Sequence, residues 1–197
     1  ILGFAPESMN FKKIDGELPN RQAAIMFYLR TNKEPHRDIY LPKRHQKILE
    51  KIIETNDLDR NICDIPDLPE RSDISKIDIG VHSGFGIARF KIIEPGKDFK
   101  AVIKFRLQEI SREKISCFLL DMNLSDPFTA ESCKELEELG FYFSCIIPEM
   151  TEQGDIIRFQ YLNNIDVDPS VIKTASDFGK ELLDYTLKER EQRLSMS

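Results

Sequence analysis

The stretch from residue 114 to 164 leaves this chain few ways to fold. Residues 115–122 form a mostly apolar run of strand length, too short for a full helix and rich in β-formers. Asp126 and Pro127 follow, a helix cap and a proline suited to the first helical position. Phe128, Cys133, Leu136 and Leu139 keep a helical apolar stripe, which Gly140 stops. Residues 141–147 and 156–162 are two further strand runs, joined by the polar, Gly-containing segment 148–155. This order predicts two parallel strands around a right-handed crossover, with the last strand antiparallel to them.

Upstream, residues 76–82 and 85–94 read as a hairpin turning at Ser83-Gly84, with Ile77, Ile79 and Val81 alternating against a solvated face. Gly84-Phe85-Gly86 lies between two strands, where no helix N-terminus could complete a phosphate cradle. A helix over 99–109 follows, with Phe99, Val102, Ile103 and Leu107 inward. Another is expected from Pro42 to Thr55, carrying His45, which we read as a partly buried or surface histidine. Asp168-Pro169 predicts a long last helix reaching about Arg190, with Val171, Ile172 and Ala175 in its stripe and 191–197 as a disordered tail. Near the start, 1–4 and 21–30 read as strands flanking a polar 12–20. The second is apolar on both faces and so is expected to be covered on both sides. Residues 32–72 are expected to be a helix and a surface linker, rich in Asp and Pro from 56 onward. The expected class is α+β, a mixed, twisted sheet flanked by helices.

Composition narrows the function. A formal net charge of −6 argues against nucleic acid or an anionic membrane as partner. No run approaches the roughly 18 apolar residues of a membrane span. The four cysteines are far apart and have no clustered histidines, so we expect buried thiols in a reducing cytoplasm and no metal site. G-x-S-x-G, H-E-x-x-H, Walker A and G-x-G-x-x-G patterns are all missing.

The order of elements, with Lys134 to Phe141 reading KELEELGF between strands at 118–123 and 143–147, resembles the closing half of a GNAT-type N-acetyltransferase. On that resemblance 73–190 is a GNAT-like domain, and 1–31 supplies the last strands of a preceding, truncated one. The texture of IYLPKRHQKILEKI and FQYLNN is similar to bacterial proteins that join such domains to an anti-sigma-type ATP-binding domain.

The family holds the acetyl-CoA pyrophosphate on free backbone amides at a Gly-rich strand-to-helix turn. Here that turn is IEPGKDF, with one glycine, a proline and Asp98 where the phosphates would lie. The usual acid position, four residues before the Gly of "GF", holds Leu136, which transfers no proton. Glu135, Glu137 and Glu138 are expected mostly on a solvated face.

The expectation is therefore a catalytically degenerate GNAT-like module with a regulatory, ligand-sensing or assembly role in a larger cytoplasmic protein, with no cofactor. Its partners would be an upstream domain, another protein or a second copy. The alternative is an active N-acyltransferase using acetyl-CoA. The resemblance then implies Gly96 and Lys97 at the pyrophosphate, the edge of Met122 and Asn123 at the pantetheine arm, and Tyr142 as general acid.

Overall fold

The computed structural model describes residues 1–10, 21–31, 33 and 35–195. Its strands are β1 (Gly3–Asn10), β2 (Arg21–Met26), β3 (Arg37–Ile39), β4 (Arg60–Ile62), β5 (Lys76–His82), β6 (Ile87–Glu94), β7 (Cys117–Asn123), β8 (Tyr142–Thr151) and β9 (Gly154–Leu162). Seven make one sheet in the order β2-β1-β8-β9-β7-β6-β5, and β3 and β4 pair separately in parallel. Within the large sheet β6 and β7 are parallel, and every other neighbouring pair is antiparallel. Both β7 and β8 run antiparallel to β9, so they share a direction as the element order predicts, with β9 inserted between them.

Alternation along the strands decides which face is covered. Phe90 and Ile92 of β6, Phe118, Leu120 and Met122 of β7, and Ile157 and Phe159 of β9 enter one core. The helices α1 (Gln46–Thr55), α2 (Phe99–Ser111), α3 (Thr129–Glu138) and α4 (Asp177–Leu194) all feed that same core. The opposite face carries a small cluster around Cys117, Leu119 and Tyr142, covered by Ile165 and Val167. Beyond that cluster the face carries Arg89, Lys91, Asp121, Asn123, Arg158 and Gln160, with Ile93 and Ile156 among them. The chain is thus α+β, with a mixed sheet and its helices on one side.

Several boundaries follow local chemistry. Asp126 accepts from the Phe128 N–H just ahead of α3, and Gly140 takes φ +90° where the helix ends. Asp168 caps only a short 3₁₀ turn, Pro169–Val171, so the long helix expected there starts later. Ser176, extended and accepting from Gly179 N–H, is its true cap, and α4 continues past Arg190 to Leu194. Val171, Ile172 and Ala175 therefore lie ahead of the helix and outside its stripe. The strand expected to be covered on both sides is corrected too. β2 ends at Met26 on the outside of the sheet, leaving Phe27 and Leu29 exposed.

The first two strands are hydrogen-bonded into the large sheet. β1 meets β8 at Gly3↔Cys145, Ile146 N–H donates to Leu2 C=O, and Ser144 Oγ donates to Phe4 C=O. Gly3 makes this approach practicable, since a Cβ there would lie 2.2 Å from the Ser144 carbonyl oxygen. The expected polar connection 12–20 lies outside the described residues. In the expected linker, β4 pairs with β3, and two arginines tie the pair to the tip of the β8–β9 hairpin. Arg37 reaches the Glu149 carboxylate at 2.9 and 2.6 Å, and Arg60 reaches Asp155 at 2.6 and 2.9 Å. Among the described residues no helix is long and apolar enough to cross a membrane.

Candidate ligand-binding site

The parallel pair parts at its C-terminal end. β6 and β7 are in register from Ile87↔Cys117 to Lys91↔Asp121, and there their pairing stops. Both strands continue, and each stays paired on its outer side. Ile92 and Glu94 pair with β5, while Met122 and Asn123 pair with β9. The facing edges are left apart, at the kind of strand end where open sheets take ligands.

A cavity of about 440 Å³ lies over this gap, within the size range of small-molecule sites. β6 contributes Arg89, Lys91 and Ile93; β7 contributes Asp121 and Asn123; the β8–β9 tip adds Met150, Thr151 and Gln153. Asp121 in its lining belongs to a buried cross-strand ion pair. Arg158 grips Asp121 through Nε at 2.5 Å and Nη2 at 2.7 Å, and both side chains are almost wholly buried. Burial is the largest single influence and opposes the charged guanidinium, but the hydrogen bond to Asp121 and its charge, with smaller contributions from Cys145 and Cys117, together raise the Arg158 pKa.

The remaining polar walls are held in place. Asn123 Nδ2 donates to Thr151 Oγ1 at 3.3 Å, and its Oδ1 accepts from Ser125 N–H and Oγ, both at 2.8 Å. Burial pushes the Asp126 carboxyl up, against the Phe128 N–H and the charge of Arg71, which pull it down.

The residues that the resemblance singled out are not assembled here. Asn123 lines the cavity, but Met122 turns into the helix-side core. Tyr142 lies on the polar face farther back along β8 and lines a separate cavity with Gly140 and Arg190. Burial holds its phenol well above the ordinary value. Leu136, at the usual acid position, is buried in the core.

Gly96 and Lys97 sit at the start of α2, where residues 72–75 close over them. Gly96 N–H donates to Ser75 Oγ at 2.9 Å, and Lys97 N–H donates to Ser72 C=O at 2.8 Å. Asp98 accepts from both the N–H and the hydroxyl of Ser75 at 2.7 Å. The Lys97 ammonium is taken by Glu70 and Asp73, at 2.7 and 3.0 Å. A Cβ on Gly96 would lie 2.6 Å from the backbone of Ile74 and Ser75. Gly96→Ala is therefore expected to cost about 1–3 kcal/mol through overpacking, read from urea unfolding.

Periodicity missed a second polar group, because its members come from three helical regions. His45 is wholly buried, with Nε2 at 2.9 Å from Glu137 Oε1 and Nδ1 at 2.7 Å from the Tyr185 hydroxyl. Glu137, expected on the solvated face, faces inward here. Arg44 holds Glu189 through two 3.0 Å bonds and approaches Glu137 at 3.4 Å. Arg193 lies 3.7 Å from Glu137 and 3.8 Å from Glu189. Ligand-type atoms of His45, Glu137 and Glu189 lie within 4.8 Å of one another. Two guanidiniums already neutralise both carboxylates, so the group acts as an ion-pair lock joining α3, α4 and the start of α1.

The hairpin tip beside the cavity carries a pH dependence. The Arg37 hydrogen bond, then its charge and that of Arg60, hold Glu149 below the ordinary glutamate range despite some burial. A depressed acid stabilises the fold above its unfolded pKa, and that stability is lost as pH falls through the folded value. Calorimetric melts from neutral pH down through the carboxylate range should show this loss, and Glu149→Gln should flatten it. No protein-family model matches the chain, and no curated protein matches it.

Proposed function

We propose that this chain is a GNAT-like module that has lost acetyl transfer and serves as a ligand-sensing part of a larger cytoplasmic protein. The observation that carries the reading is the start of α2. The amides that would cradle a pyrophosphate are used by Ser72 and Ser75, Lys97 is taken by two carboxylates, and Asp98 adds a negative charge. A phosphate anion there would meet repulsion and no free donor at Gly96 or Lys97. The parallel pair, with β9 inserted beside it and the strands parting over a cavity, supports the GNAT-like architecture and gives the module a place for a ligand.

The proposal is tested by following thiol release from acetyl-CoA in the presence of amine acceptors. The expected rate is that of buffer alone, and turnover proportional to protein would contradict it. One observation favours the alternative, an active acyltransferase. The edge of Met122 and Asn123 is open towards β6, and Asp126 beside it could accept an amine proton. Loss of turnover in Asp126→Asn, were turnover found, would establish that reading.

A further inference from the structure

We propose that the cavity between β6 and the β8–β9 tip binds a small organic anion with one charge and a short apolar body, such as a medium-chain carboxylate, through Arg89 and Lys91. The inference rests on the ligand-sensing reading for its purpose and deepens it by naming the class of ligand.

Arg89 and Lys91 are two residues apart on β6, so they stand on the same face, and both are exposed. Among the described residues neither has an ion pair or a side-chain hydrogen bond. This stands out in a chain of net charge −6, where other cations near the site are taken. Arg158 holds Asp121, Arg37 holds Glu149, and Arg71 holds Glu131 and Glu135. Two like charges side by side on a strand repel, and an anion between them relieves that. The cavity they face continues onto Ile93, Met150 and Ile156, which suit an apolar body.

The carboxyls at the site limit the ligand's charge. Asp121 is neutralised by Arg158, whereas Asp126, which among the described residues accepts the Phe128 N–H bond, would repel a second negative group. A single anionic end against Arg89 and Lys91, with its chain along Ile93 and Ile156, meets all of these groups favourably.

Amide chemical shifts of the whole chain, followed as hexanoate, hexanol and hexylamine are added in turn, test the proposal. Hexanoate should give saturable shifts gathered at 89–93, 121–126 and 150–156, with hexanol weaker. The exposed substitutions Arg89→Gln and Lys91→Gln together should leave the melting temperature unchanged and weaken hexanoate by roughly tenfold or more. Absence of saturable shifts, shifts elsewhere, equal affinity in the double variant, or tighter binding of hexylamine would each overturn the proposal. Acetyl transfer by the protein would refute the non-catalytic sensing role while leaving these shifts intact. Their loss in a protein without transferase activity would refute only the anion site.

Discussion

Arg60→Met should destabilise the protein by about 3–5 kcal/mol, the cost of leaving one member of a buried ion pair alone. The Arg60 and Asp155 side chains are both fully buried and joined by two short bonds. Methionine fills much of the space and leaves the Asp155 charge, among the described residues, with the Glu149 N–H and the more distant charge of Arg37. Removing both charges, as in Arg60→Met with Asp155→Leu, should cost less than Arg60→Met alone. Chemical denaturation of the two variants checks this. The hairpin tip that Arg60 anchors supplies Met150, Thr151 and Gln153 to the cavity, so the single variant should also loosen the site.

Asp121→Ala should cost a similar amount, about 3–5 kcal/mol, for the same reason in reverse. Arg158 would remain almost wholly buried on the central strand β9, with its charge unmatched. The effect should be far larger than that of neutralising Lys91, which faces the same cavity but is exposed and, among the described residues, unpaired. If Asp121→Ala and Lys91→Gln unfold at the same urea concentration, the buried pair does not contribute the stability assigned to it here.

What the sequence disclosed depended on how local the cause was. The strands and helices from 76 to 162 were legible because each is declared by neighbours in the chain: the alternation along β6, the Asp126 cap, and Gly140 at φ +90°. The start of α4 misled because Asp168-Pro169 and Ser176 are both good caps, and the first closes only a 3₁₀ turn. β3 and β4 are three residues each and carry no periodicity. They are held by arginines whose partners lie 112 and 95 positions away.

The same limit applied to the candidate site residues. Glu137 looks like one more charge on a solvated helix, and its reason for facing inward, His45 with Arg44 and Arg193, comes from distant segments. Arg89 and Lys91 read as the solvated side of a strand, which they are. Their meaning comes from the parting of β6 and β7 and from the hairpin tip standing over them. That Pro95, Gly96 and Asp98 turn the chain into α2 was legible, by contrast, because those residues sit within one short run.

The most direct test of the account is a calorimetric and thermal-shift titration of the protein with acetyl-CoA, using desulfo-CoA as control. With the amides of Gly96 and Lys97 engaged, no saturable heat and no shift in melting temperature are expected. A saturable response would contradict it, and a ligand present at a hundredfold over its dissociation constant would stabilise the native state by about 2.7 kcal/mol.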